Sequence, residues 1–359
     1  MNRALFVLAL FCGVTGVAAE PPFYRDKFDL LYYLDASGGR YEVQTEQDWE
    51  KRRQHILENM QLVMGPVPND AKPPLDVKVI REDDFGDVIR RKISYQAKKG
   101  NRVNAYLFIP KNRKGRMPAM VVPHPTSVKF GKAIAAGVGG RPRRASALEL
   151  AERGYVTIAP DYPYMGEPQT SPYDLGYVST TMKGVYNHMR AVDLLQSMDE
   201  VDPERIGAIG HSLGGHNSLF LAAFDERIKV VVTSCGFNAF AQYMAGDLSG
   251  WSQDKYMPRV ADVYGKDPEK MPFDFSEILG AIAPRPVFIN APINDSNFEV
   301  FGVRRCVDAA LPVYAKIFSV RDRLVAYYPV AEHDFPDETR FKAFRFLDSW
   351  LKGGGAPAP

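Results

Sequence analysis

The sequence predicts an α/β fold: a mostly parallel central sheet with helices on both faces and antiparallel strands at its N-terminal edge. Three observations predict it. From residue 117 onward, short apolar runs of strand length alternate with stretches of helical periodicity, the pattern of a doubly wound sheet. Before them, residues 77–80, 87–95 and 103–109 alternate polar and apolar side chains as antiparallel strands do. Between a strand-like run at 205–209 and a helix-like run at 215–223 stands Gly210-His211-Ser212-Leu213-Gly214, a serine on a sharp strand-to-helix turn.

The elements follow in order. Residues 46–64 read as an amphipathic helix, because Trp49, Ile56, Met60 and Val63 recur at spacings of three, four and seven with charged residues between them. Gly65-Pro66-Val67-Pro68 stops it. Lys99-Gly100-Asn101 turns the second edge strand into the third. Strands are then expected at 117–123 and 155–159, with a helix at 144–153 ended by Gly154. A helix at 184–198 leads to the strand at 205–209, and a further strand falls at 227–233. The last part reads as strand 286–292, helix 299–317, strand 324–330 and helix 337–351. Two connections, 161–183 and 236–283, are longer than a simple crossover needs and carry many aromatic residues. Long loops at the carboxyl edge of a sheet commonly shape a binding pocket. Trp251 is the candidate there for substrate contact, although packing of the insertion onto the sheet explains such aromatics equally well.

The glycines two before and two after Ser212 leave room where a side chain would collide with backbone in the turn. A serine hydroxyl is a poor nucleophile until a base takes its proton. His333 follows the predicted strand 324–330, and it is the only histidine after the candidate acid. Asp295 leaves the predicted strand 286–292, where it can hold an imidazole in the correct tautomer. Both positions are carboxyl ends of strands, where ligands bind in open α/β sheets. Asp334 and Glu332 are rival acids on the histidine's own loop, and Asp322 precedes the last strand.

An oxyanion site needs two backbone donors. Leu213 N–H, directly after the serine, is one candidate. The other belongs on the loop after strand 117–123, which reads His124-Pro125-Thr126. Proline has no N–H, so Thr126 is the candidate, and the His124 side chain is expected to brace the loop. His211, His216, His188 and His55 read as packed or helical residues. Neither a His-Glu-x-x-His pair nor a Cys/His cluster occurs, so a metal site is not indicated.

With these residues in place, the chain resembles the α/β-hydrolase superfamily, and within it the acetyl xylan esterase and dienelactone-hydrolase-like group of bacterial esterases. The resemblance runs from about residue 77 to 351 and rests on several matching stretches. These are His124-Pro125-Thr126, Ala159-Pro160-Asp161-Tyr162, Met165-Gly166-Glu167-Pro168 and Arg190-Ala191-Val192-Asp193-Leu194-Leu195. The match continues through Val201-Asp202-Pro203-Glu204-Arg205-Ile206-Gly207, the serine turn, Ala283-Pro284-Arg285-Pro286 and His333-Asp334-Phe335. It implies a serine hydrolase acting on carboxylic esters without a cofactor, with an acetylated polysaccharide as a reasonable substrate. Prolyl-oligopeptidase-like peptidases share the catalytic half, but about 120 residues ahead of the first oxyanion loop cannot form their propeller. A non-catalytic binding protein on the same fold is the third reading, and the complete Ser/Asp/His set argues against it.

A chain of 359 residues with 45% apolar content buries a large core. Its net charge is +2 without basic clusters among aromatics, so nucleic-acid binding is not suggested. Met1-Asn2-Arg3, an apolar run and Val17-Ala18-Ala19 read as a secretory signal peptide at 1–19, cleaved before Glu20. The expected organisation is then an N-terminal extension at 20–70, a catalytic domain at 71–352 and a flexible tail at 353–359. A secreted or periplasmic location follows, with no stable membrane insertion after cleavage. Cys235 and Cys306 remain, and their spacing does not decide between a disulfide and two buried thiols.

Overall fold

The computed structural model describes residues 20–112, 115–139 and 145–353. The expected signal peptide and all but the first residue of the expected tail lie outside them. In chain order the elements are β1 (Tyr32–Leu34), β2 (Arg40–Glu42), α1 (Glu46–Met64), β3 (Lys78–Phe85), β4 (Val88–Lys98), β5 (Asn101–Pro110) and β6 (Met117–Val121). There follow α2 (Ser146–Glu152), β7 (Val156–Pro160), α3 (Thr180–Gln196), β8 (Val201–His211), α4 (Leu213–Phe224), β9 (Ile228–Ser234) and α5 (Arg259–Asp262). The chain closes with α6 (Phe275–Ile282), β10 (Val287–Asn290), α7 (Val300–Pro312), β11 (Leu324–Tyr327) and α8 (Asp337–Leu351).

Nine strands form one sheet in the order β11-β10-β9-β8-β6-β7-β5-β4-β3. Strands β6 to β11 run parallel, whereas β3, β4 and β5 are antiparallel at one edge. The parallel strands are buried almost throughout, as expected for a sheet covered on both faces. One large cluster of apolar side chains fills one side, and a second, built with α2 and α8, fills the other. The chain passes from β6 to β7 on one side of β6 and returns as β8 on the other. A crevice therefore opens at the carboxyl ends of β6 and β8, the switch point where α/β folds bind ligands.

Helix α1 starts where its pattern predicts, because Thr45 and Asp48 form a reciprocal capping box. Its face of Trp49, Ile56, Met60 and Val63 enters the main core. Helix α3 begins four residues earlier than its apolar spacing suggests, since Ser179 Oγ accepts the Met182 N–H and fixes the N-terminus at Thr180. Strand β8 extends from Val201 to His211, longer than the apolar run 205–209, because β6 and β9 flank it on both edges. The β1–β2 hairpin and α6 were not legible as elements. Each is short, and the hairpin shows no clear alternation.

Lys183 is buried on α3, with its amine on Asn187 Oδ1. Burial, aided by the charge of Lys98, pushes this amine down to about 7. At pH values below that, folded and unfolded chains both carry the proton, and the cost of burying the charge is complete. Between 7 and the ordinary lysine range, the unfolded chain binds more protons, so stability rises with pH. Urea unfolding at pH 6, 8 and 10 is expected to show this rise. Lys183→Met is expected to stabilise by on the order of 1–3 kcal/mol at pH 6 and by little at pH 10. An equal difference at all three pH values would contradict the assignment.

Candidate active site

Ser212 follows β8 directly and caps α4 with φ 57° and ψ −121°, a backbone region that non-glycine residues rarely occupy. The strain is held by close packing. A methyl group on Gly210 would meet the carbonyl of Gly214 at 2.2 Å, and one on Gly214 would meet the carbonyl oxygen of Pro123 at 2.1 Å. The Ser212 N–H donates to the Ser234 carbonyl at 2.8 Å, and the Ser212 carbonyl accepts from Gly215 N–H at 2.8 Å. The serine is thus half-exposed while its backbone is pinned on both sides.

Asp295 lies on the loop after β10 and His333 on the loop after β11. The His333 Nδ1–H donates to both Asp295 carboxylate oxygens, at 2.9 and 3.0 Å. The Asp295 side chain is 1% exposed and that of His333 is 25% exposed. Burial opposes the charge on Asp295, but the hydrogen bond and charge of His333, with the N–H groups of Phe298 and Asn297, hold its carboxyl below the ordinary range. The imidazole packs against the ring of His211, the residue before Ser212, at 4.9 Å between centroids. The rival Asp334 takes part through its backbone. Its carbonyl accepts from Asn290 Nδ2 at 3.0 Å and from Cys235 Sγ at 3.3 Å, and so anchors the histidine loop.

Leu213 occupies the first position of α4, where the N–H has no partner within the helix. Thr126 sits on the loop after β6, across the crevice. His124 braces this loop as expected: Nδ1–H donates to the Pro125 carbonyl at 2.7 Å, and Nε2 accepts the Tyr162 N–H at 2.9 Å. Thr126 Oγ1 shares a hydrogen bond of 3.1 Å with the Tyr256 hydroxyl.

Ser212, Leu213, Thr126 and Trp251 all line one cavity of about 180 Å³. The opposite wall includes Asn297 and Phe298, two and three residues after Asp295, and the Phe298 ring is 5.9 Å from that of His333. The structure thus places Ser212, Leu213, Thr126 and Trp251 on one cavity, with the Asp295–His333 pair adjoining it through Phe298 and His211. Trp251 is only 4% exposed and is packed by Phe240, Tyr243 and Phe275, so it walls the cavity more than it projects into it.

His216 is a buried residue of α4, as expected, but it has a further place in the site. It lines the cavity beside Trp251, with ring centroids 4.9 Å apart. Burial pushes its imidazole down to about 3, against the hydrogen bond to the Gly236 carbonyl. Nδ1–H donates to that carbonyl at 3.1 Å, leaving Nε2 as an acceptor. Its position four residues after Ser212 places it on the same helix face, a signal available in the sequence. Tyr243, Lys255 and Tyr256 also line the cavity, but they arrive on an irregular segment that shows no periodicity.

Cys235 and Cys306 are both free and buried. Ligand atoms of Cys235, Asp295 and His333 lie within 4.8 Å of one another, a grouping that could hold a metal ion. The Asp–His hydrogen bonds and the thiol's contact with the Asp334 carbonyl account for this grouping by themselves. Among the described residues, no helix is long and apolar enough to cross a membrane.

The sheet order, the serine turn after β8 and the Asp295–His333 pair after β10 and β11 are the arrangement of an α/β-hydrolase. Two family models match: Acetyl xylan esterase (AXE1) over residues 67–244 and Glucuronyl esterase, fungi, over residues 176–317. The chain is 26% identical over 302 residues to Putative hydrolase YtaP of Bacillus subtilis, spanning 80% of this chain and 96% of that one. It is 26% identical to Quorum-quenching protein AidA of Acinetobacter baumannii over 64% of this chain and 69% of that one. Among solved structures, a glucuronoyl esterase from Solibacter usitatus matches with a TM-score of 0.71 at 18% identity, covering 92% of this chain and 99% of the other. Acetyl xylan esterase 1 from Thermoanaerobacterium matches with a TM-score of 0.55 at 17% identity, covering 84% and 93%. The chain has the α/β-hydrolase fold and is similar to the acetyl xylan esterase and glucuronoyl esterase groups.

Gly214 tests the packing at this turn. Gly214→Ala forces a methyl group onto the Pro123 carbonyl, which must move and carry the Thr126 loop with it. A loss of roughly 2–4 kcal/mol in denaturant unfolding is expected, with activity falling further than the unfolded fraction explains. A variant as stable and active as the parent would show that the two backbones are not locked together.

Proposed function

We propose that the protein is an exported serine esterase that cleaves carbohydrate esters through an acyl-enzyme. The observation that carries this reading is the Asp295–His333 hydrogen-bonded pair standing behind a strained, half-exposed Ser212 at the edge of a cavity. Ser212 is the nucleophile. His333 takes its proton and returns it to the leaving alcohol. Asp295 fixes the tautomer and stabilises the imidazolium. The N–H groups of Leu213 and Thr126 hold the oxyanion, and water then attacks the acyl-enzyme with His333 as base. No cofactor takes part.

The substrate reading rests on the cavity and the relatives. About 180 Å³ holds a short acyl chain or one sugar ring, below the usual range for drug-sized ligands. Gln253, Lys255, Tyr256 and Asn297 supply hydrogen-bonding groups around it, which suits a hydroxylated substrate. The resemblance to acetyl xylan and glucuronoyl esterases points the same way, and export rests on the composition of residues 1–19.

Ser212→Ala is expected to lower turnover by on the order of 10⁴ to 10⁶ with folding intact. Asp295→Asn is expected to lower it by roughly 10⁴ through loss of tautomer control, and Asp334→Asn by far less. Assays of all three on one ester, with thermal melts as controls, decide this. A Ser212→Ala variant that keeps most of its activity ends the esterase reading.

In a panel of p-nitrophenyl esters, kcat/KM is expected to fall at least tenfold from acetate to octanoate, because the long chain does not fit the cavity. Acetylated xylan and an alkyl ester of glucuronic acid, assayed in parallel, separate the two carbohydrate classes. A preference for long chains would overturn the carbohydrate reading while leaving the serine mechanism in place.

A further inference from the structure

The carboxyl ends of β8, β9 and β10 stand in register. His211 is the Cα partner of Ser234, and Ser234 is the partner of Asn290. Their side chains join across the strands: His211 Nδ1 meets Ser234 Oγ at 2.9 Å, and Asn290 Nδ2 donates to that same Oγ at 2.9 Å. Asn290 Nδ2 also donates to the Asp334 carbonyl at 3.0 Å, one residue beyond His333. The amide orientation is fixed by chemistry, because its oxygen in that place would face another acceptor. Ser234, on the other side, holds the Ser212 N–H through its carbonyl. One buried amide therefore ties the backbone carrying the candidate nucleophile to the loop carrying the candidate base.

From this we infer that Asn290 is a positioning residue: its amide sets where His333 stands relative to Ser212. The inference rests on the serine-esterase reading. Asn290 is 1% exposed and does not line the cavity, so it does not bind substrate. Its Oδ1 is buried without a protein hydrogen-bond partner, a cost that an apolar residue in its place avoids. Cys235 Sγ also reaches the Asp334 carbonyl, at 3.3 Å, but a thiol is a weak donor. The amide is thus the stronger of the two side-chain donors to this carbonyl, which adjoins His333. A small displacement of a base from its reacting partner costs up to about 10²-fold in rate.

The test compares Asn290→Leu and Asn290→Asp with the parent enzyme and with Ser212→Ala. Leucine keeps the volume and removes both donors. Aspartate keeps the shape and loses both donors, but it can accept from the Ser234 hydroxyl in their place. Both variants are expected to lower kcat on p-nitrophenyl acetate by roughly 10- to 100-fold with KM within about twofold. Labelling of Ser212 by a fluorophosphonate is expected to slow in step, and the melting temperature of Asn290→Leu is not expected to fall. A kcat within about threefold of the parent in Asn290→Leu overturns the inference. So does a loss in both variants that follows melting temperature and raises KM, because that is the signature of a merely structural residue. Ser212→Ala with undiminished activity would sink the underlying reading instead, whatever Asn290 does.

Discussion

Gly214 lies against the carbonyl of Pro123 with no room for a methyl group, and much of the site depends on that approach. It sets the first turn of α4 beside the loop after β6. Leu213 and Thr126 then line one cavity. The same packing holds Ser212 at a positive φ, because Gly210 is already in contact with Gly214. Strain of this kind costs on the order of 1–3 kcal/mol and persists only where the surroundings over-determine it. Here they do, through the close backbone contacts and the hydrogen bond from Ser212 N–H to Ser234.

Parallel strands in register carry this arrangement outward. Each strand from β8 to β11 ends at nearly the same level, so the loops leaving them gather on one edge. Three loops then supply serine, acid and histidine from separate parts of the chain, and the sheet does the alignment. The polar row of His211, Ser234 and Asn290 lies immediately behind, at the last register position before the loops begin. A buried polar row is stable only where its members satisfy one another. This one does so through two bonds within the row and one donation to the histidine loop, at the expense of an orphaned oxygen on Asn290.

What could be read from the sequence follows from the same physics. The parallel strands were legible because burial on both faces demands continuous apolar runs, and α1 and α8 because their apolar residues recur at helical spacing. Ser212, Asp295 and His333 were legible because strand order alone fixes which loops meet. Thr126 followed from the missing N–H of Pro125. His216 was missed although its spacing from Ser212 was visible, because a neutral histidine on an apolar helix reads as core. Tyr243 and Tyr256 were legible only as aromatics of a long loop that could shape a pocket, and Lys255 carried no usable signal. Their segment is held by scattered bonds, such as Tyr162 Oη–H to the Lys255 carbonyl and Tyr173 Oη–H to the Asp254 carbonyl, and no periodicity announces such contacts.

The N-terminal region is packed into the rest of the chain. Arg52 of α1 and Glu277 of α6 form an ion pair with both side chains fully buried, a contact whose value depends on good geometry and shared hydrogen bonds. A methyl group on Gly280 of α6 would press on Leu30 and Trp49, so the N-terminal region and α6 touch at backbone distance. On its other side α6 presents Phe275, which stacks with Phe220 and Phe237 and packs against Trp251. Trp251 in turn packs against His216 on the cavity wall. A continuous series of contacts therefore runs from α1 through α6 to the wall of the pocket. The sheet edge thus places Ser212, Asp295 and His333, while packing that begins at α1 backs the cavity wall at Trp251 and His216.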